Sequence, residues 1–303
     1  MSTVRFGPAG NSDSFTAMGY RKNLQIPEYL EKMELSAYEY QCGRGVKISE
    51  TAAIELGSAA AAKQIQLSIH APYYISMSSV EEEKRLNSVN YVLQSARAVH
   101  AMGGNRIVVH TGSCSKMSRA EALALAADTM KKCIIALDDS GLRDVHICPE
   151  TMGKINQLGT LEEVLSLCKL DERLLPCLDF GHLNARTYGG LNSSQAFEQV
   201  LDKVENAIGV SRASLFHAHF SKIEYTKPGG EKRHLTFADT QFGPDFEPLA
   251  ELIARRKYSP TIICESAGTQ AEDAAAMKKM YLQALSGADK TTLTGDVIFE
   301  QQN

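Results

Sequence analysis

The residues that could do chemistry fall at recurring places. Short apolar runs stop at, or just before, side chains that bind metals. The run at 65–70 ends at His70 and the run at 106–110 at His110. The run at 145–149 is followed by Glu150. The run at 175–180 carries Asp179, with His182 just after it, and the run at 215–220 carries His217 and His219. The run at 261–265 ends at Glu265. Five of the eight histidines occupy such places, so a structural role for each in isolation is a poor account. A carboxylate buried at the end of an apolar strand costs several kcal/mol unless it is paired or binds a cation. Imidazole and carboxylate without thiolate suit Zn, Mn or Fe(II) better than Ca or Mg. The set exceeds what one tetrahedral ion needs, which implies at least two metals with a carboxylate between them. Two ions about 3.5–4 Å apart can stabilise the attacking and leaving oxygens of a displacement at phosphorus and lower the pKa of a water.

The elements that must position these groups repeat along the chain. Eight apolar, β-branched runs, at 3–6, 37–41, 65–70, 106–110, 145–149, 175–180, 215–220 and 261–265, read as strands. Stretches of helical period lie between them, at 81–102, 118–138, 160–168, 194–208, 246–256 and 270–285. Thr160 with Glu163 three residues on is a capping-box signature. Parallel strands alternating with helices give a (β/α)8 barrel or a doubly wound open sheet. No G-x-G-x-x-G follows the first run, and eight units in 303 residues fit one barrel. The sequence therefore predicts an α/β chain with a single-domain (β/α)8 TIM barrel over 1–285 and a polar tail over 286–303. In such a barrel the strand C-termini converge on the face where active sites form.

Composition narrows the function classes. With 44% hydrophobic and 22% charged residues, the chain is not predominantly disordered. No apolar run approaches the roughly 20 residues that cross a bilayer. The first ten residues lack a basic segment followed by an apolar one, so no secretory signal is expected. Seven scattered cysteines, none in a CxxC pair, predict reduced thiols and a cytoplasmic location. A net charge of −4 argues against nonspecific binding of nucleic acid but leaves room for a local basic face. No protein partner can be read from the sequence.

Six stretches in order, IHAPYY (69–74), VVHTGS (108–113), CPETMGK (148–154), CLDFGHLNA (177–185), HAHFSK (217–222) and CESAG (264–268), resemble endonuclease IV. This is AP endonuclease family 2, within the xylose-isomerase-like TIM-barrel superfamily. The resemblance covers nearly the whole chain. It implies a barrel with a trinuclear zinc site that incises DNA 5′ to abasic sites in base excision repair, Mn or Fe(II) also fitting the donors. Carried over by position, it assigns His70, His110 and Glu150 to one metal. Glu150 bridges to a second, completed by Asp179, His217 and Glu265; His182 belongs to a third. His217 matches the family's ligand better than its neighbour His219, although the register there admits either. Glu150 and Glu265 are the candidates for a catalytic role beyond ligation.

The chain departs from the family at the third site, which an Asp-x-His pair usually completes. His234 fills the histidine place, but Lys232 stands two before it and cannot ligate while protonated; Glu231 is adjacent. For DNA contacts the resemblance implies Arg44 after the second strand and Tyr73 after His70, with Tyr74 beside it; Lys222, by its place directly after the seventh strand, is within reach of a substrate phosphate. Lys154, Arg186, Lys227, Lys232 and Arg233 add to a basic rim in the top loops.

Two other readings compete. A xylose-isomerase-like sugar isomerase or epimerase would use Glu150, Asp179, His217 and Glu265 as its metal set and a carboxylate as base, but has no need of His70 and His110. A noncatalytic binder of DNA lesions is motivated by Lys232.

Overall fold

The structure, a computed structural model, describes residues 3–296. All eight expected runs contain strands. They are β1 (Arg5–Pro8), β2 (Ala37–Gln41), β3 (Gln66–His70), β4 (Arg106–Val109), β5 (His146–Pro149), β6 (Cys177–Asp179) and β7 (His217–Phe220). After them come β8 (Ile223–Thr226), β9 (Gly230–His234) and β10 (Thr261–Cys264). The pair β8 and β9 is an antiparallel hairpin that the sequence reading did not foresee.

The helices are α1 (Asp13–Ala17), α2 (Ile26–Lys32), α3 (Glu50–Ala61), α4 (Glu82–Ala101), α5 (Arg119–Asp139), α6 (Leu161–Cys168), α7 (Phe180–Arg186), α8 (Ser194–Ile208), α9 (Val210–Ala213), α10 (Glu247–Arg256) and α11 (Gln270–Asp296). The six expected helices are present. The expected box at Thr160 and Glu163 caps α6, and a second box at Ser118 and Glu121 caps α5. The helix expected to end at 285 continues to Asp296, so the polar stretch after it is helical that far. Residues 297–303 lie outside the described residues.

Two parallel sheets of four strands, ordered β2-β3-β4-β5 and β1-β10-β7-β6, make up the barrel. A bridge between Ala9 and Glu39 joins β1 to β2. Bridges Ile147–Leu174 and Glu150–Cys177 join β5 to β6. The ring is thus closed, and the open-sheet alternative falls. Strands covered by helices outside and side chains inside are buried on both faces, which is why they read as uninterrupted apolar runs. The main apolar core lies between strands and helices. Inside the ring a small cluster of Val108, Cys148, Leu175 and Cys177 forms the floor below the strand ends. All seven cysteines are buried and unpaired. Among the described residues, no helix is long and apolar enough to cross a membrane.

Candidate metal centre

Strand register decides which side chains meet. In the β6–β7 ladder, Asp179 faces His219 and Cys177 faces His217. Alternate residues of a strand share a face, so both histidines point inward but at different depths, about 6.6 Å apart along the strand. His219 therefore stands level with Asp179, and a group of Glu150, Asp179, His219 and Glu265 converges at the top. This corrects the expectation for His217. It lies one layer lower, with its Nε2 2.9 Å from Glu39 Oε2, and is grouped with Cys177 and His219 rather than with Glu150, Asp179 and Glu265.

Glu150 is the hub. His110 Nε2 lies 3.0 Å from its Oε2 and His70 Nε2 3.4 Å. His219 Nδ1 lies 3.2 Å from its Oε1 and His182 Nδ1 3.3 Å. His70, His110 and Glu150 form one cluster of donors; Glu150, Asp179, His219 and Glu265 form a second. Asp179 caps α7 by accepting from the His182 amide at 2.8 Å, which fixes the turn that brings His182 inward.

A third cluster, His182, Glu231 and His234, owes its geometry to a β-bulge. In the β8–β9 hairpin Ile223 pairs with His234, Glu224 with Arg233, and Tyr225 with Glu231. Lys232 is the extra residue, and an extra residue reverses the alternation of faces. Glu231 and His234, three apart, are thereby brought to the same cluster. Glu231 Oε2 lies 3.3 Å from His182 Nε2, and His234 is oriented by Ser221 Oγ at 2.8 Å from its Nδ1. Lys232 turns away to Glu224 at 2.6 Å. Gly153 is required beside this hairpin: a Cβ there would come within 2.6 Å of the Glu231 Cβ.

The donors fit a metal cluster on two counts. Asp179 Oδ2 is buried without a hydrogen bond of good geometry, although His182 Nδ1 lies 3.0 Å away. In addition, a wholly buried Glu150 faces four imidazoles and, among the described residues, pairs with no lysine or arginine. Burial alone would raise the Glu150 pKa, but His110 and His219 outweigh it and hold the carboxyl well below its ordinary value. Burial prevails at Glu265, whose pKa is raised. Two carboxylates whose pKa values are pushed apart are able to serve as acid and base.

The clusters open into a cavity of about 370 Å³, lined also by Tyr73, Met152, Lys154 and Gln157. Two larger grooves, about 610 and 650 Å³, lie among outer helices and at the opposite end, away from these donors. Tyr73 and Tyr74 are more than half exposed. The Tyr73 ring packs against His70 and His110, at centroid distances of 5.3 and 5.5 Å, whereas Tyr74 leans on Tyr91. Arg44 is exposed in the loop after β2. Lys222 is not a free phosphate contact as expected: its Nζ donates to Asp239 O at 2.7 Å and pairs with Asp245 at 3.1 Å. Arg186 likewise donates to the carbonyls of Met152, Lys154, Ile155 and Gln157. Lys232 and Arg233 are both paired with Glu224. Among the described residues, Lys154 is the only lysine or arginine that lines the cavity.

Sequence reasoning missed Glu39, buried at the centre of β2 beneath the clusters. Burial opposes its charge, but His219 and His217 outweigh that and keep its pKa well below the ordinary value. Burial pushes the His217 pKa down to about 4. The available signal was a carboxylate within the strand AYEYQ, in step with the inward face.

Residues 28–284 match the family model described as xylose isomerase-like TIM barrel. An uncharacterised protein of Methanocaldococcus jannaschii is 34% identical, over 91% of this chain and 96% of that one. A protein named "Probable endonuclease 4" from Aster yellows witches'-broom phytoplasma is 27% identical, over 62% of this chain and 63% of its own length. Among solved structures, a D-tagatose 3-epimerase-like protein aligns with TM-score 0.70 at 18% identity, over 94% of this chain and 99% of that one. Endonuclease IV from Thermus thermophilus aligns with TM-score 0.65 at 20% identity, over 93% and 99%. These two structures share the fold with the present chain. By its family match and its conserved length against the archaeal relative, the chain belongs to the xylose isomerase-like TIM barrels, as a divergent member.

Proposed function

We propose that this protein is a metal-dependent phosphodiesterase that incises DNA on the 5′ side of abasic sites, in the cytoplasm. The observation that carries this reading is the sharing of Glu150 between two donor clusters, with a third adjoining through His182. A sugar epimerase would need only the cluster of Glu150, Asp179, His219 and Glu265. His70 and His110, with Glu231 and His234, are surplus to it. The sequence similarity to proteins named endonuclease 4 supports the same choice.

Two or three divalent ions, zinc first and manganese or iron(II) as alternatives, would be held by these clusters. Bound there, they would supply Lewis acidity at a phosphodiester and lower the pKa of a water. The protein's own groups orient the substrate. Tyr73 is placed to stack at the mouth, where a base lost from DNA leaves a gap. Lys154 offers the cavity's cation to a phosphate. Arg44 and Tyr74 extend this surface outward. Glu150 and Glu265 are the proposed catalytic carboxylates, and the bulge removes the motive for a noncatalytic lesion binder.

The test is a labelled duplex with one abasic-site analogue, with and without chelator, alongside metal analysis. Chelator-sensitive incision 5′ to the lesion is expected, and His110→Ala should lower both bound metal and incision. Unchanged incision in that variant would sink the assignment. A second reading, ketose epimerisation, draws on the opposed pKa directions of Glu150 and Glu265. It takes over if a ketose is turned over and the duplex is not.

A further inference from the structure

Beneath the donor clusters, β2 contributes a carboxylate that none of them uses. Glu39 is completely buried, and its neighbours divide its two oxygens. Oε2 lies 2.9 Å from His217 Nε2 and accepts from Ser68 Oγ at 3.3 Å. Oε1 accepts from Gln41 Nε2 at 3.2 Å and lies 3.0 Å from His219 Nε2. His219 turns its other nitrogen, Nδ1, toward Glu150 and Glu265, at 3.2 and 3.5 Å. One imidazole thus spans the gap between a buried anion and the donor cluster.

A neutral imidazole carries one N–H and one bare nitrogen. Whichever nitrogen is held as a donor, the other is left to ligate, so the partner of the N–H sets the tautomer. His219 Nε2 lies 3.0 Å from the Glu39 carboxylate, without a hydrogen bond of good geometry there, and the Cys177 thiol also reaches the ring. His217 fixes the other oxygen of that carboxylate and so its plane. His217 Nδ1, by contrast, is buried without a partner, as suits a bare nitrogen whose proton sits on Nε2.

We propose that Glu39 is a positioning residue of the metal centre, holding the Nε2–H of His219 so that its Nδ1 is presented to the metal, with His217 as the strut that fixes the carboxylate. The proposal rests on the metal centre of the preceding reading but not on the identity of the substrate.

The test uses the zinc-loaded full chain with ¹⁵N-labelled histidine. Long-range proton–nitrogen correlation should find His219 protonated at Nε2, with Nδ1 at the shift of a metal-bound nitrogen. His219 protonated at Nδ1 would overturn the proposal, and this result needs no variant to fold. In Glu39→Gln, zinc affinity measured by chelator competition should fall about 10- to 100-fold. Unchanged affinity and an unchanged His219 tautomer in that variant would also overturn it. A wild type that takes up no zinc loses both the metal centre and this inference. A wild type with the expected tautomer that leaves abasic DNA uncut keeps the inference and loses only the nuclease.

Discussion

Glu231 and Lys232 are consecutive, yet they face opposite ways: Glu231 Oε2 lies 3.3 Å from His182 Nε2, and Lys232 Nζ lies 2.6 Å from Glu224 Oε1. The bulge between them makes a Glu-x-x-His spacing do what an Asp-x-His spacing does on a regular strand. The side chain that seemed to spoil the third cluster is the one the bulge expels.

Glu231→Ala should therefore reduce the metal bound per chain, because His182 and His234 are left with no carboxylate in their cluster. Lys232→Ala should leave metal content unchanged, since its exposed pair with Glu224 contributes at most about 1 kcal/mol. Elemental analysis of the two purified variants checks this. Equal metal in Glu231→Ala and wild type would refute the role given to the bulge.

His217 and His219 should separate cleanly. His219→Ala should lose metal while the barrel still folds. His217→Ala should keep its metal stoichiometry but lose about 3–5 kcal/mol of stability, because Glu39 is left buried without that partner. Denaturant unfolding with metal analysis distinguishes the two, and loss of metal in His217→Ala alone would restore the original assignment.

Arg186 spends its guanidinium on four carbonyls of the segment that carries Met152, Lys154 and Gln157. Hydrogen bonds to a charged donor contribute about 1.5–3 kcal/mol. Arg186→Ala should cost that order of stability and speed amide exchange in 152–157. Were Arg186 instead a substrate contact, the variant would weaken DNA binding with exchange unaltered.

The pH dependence of stability should carry a signature of His146, which lies at the far end of the barrel from the clusters. Burial lowers its pKa, while its Nδ1 sits 3.0 Å from Arg173 O. The folded state thus favours neutral imidazole, whereas the unfolded chain takes up a proton near pH 6.5. Its contribution is fully present above that pH and is lost as pH falls from there toward the folded pKa. The slope is at most about 1.4 kcal/mol per pH unit for one proton. His146→Gln should flatten the stability profile below pH 6.5, and an identical profile would show that His146 does not titrate differently on folding.

The barrel was legible because its strands are apolar on both faces, and the candidate ligands were legible because each interrupts such a run. What stayed hidden depends on partners distant in sequence. His217 and His219 have the same inward parity, so only the β6–β7 register separates them. Lys222 reads as a free cation until Asp239 and Asp245 fold over it. The hairpin that carries Glu231 and His234 is polar, and a bulge leaves no periodic mark. Glu39 sits between two tyrosines in β2, and its inward parity is visible in AYEYQ, but not that His217 and His219 are its partners.

The ring is made of two half-barrels, and its two seams are its thinnest joints. Among the described residues one bridge, Ala9 to Glu39, joins β1 to β2; at the other seam Ile147 bridges to Leu174 and Glu150 itself to Cys177. Glu39 and Glu150 belong to the same half, and each reaches groups of the opposite half: Glu39 meets His217 and His219, and Glu150 meets His182 and His219. A cation shared by Glu150 with Asp179, His219 and Glu265 would act as a rivet across the second seam. Stripping it would be a mechanical event as much as a chemical one, freeing the two halves to gape where the barrel is least sewn.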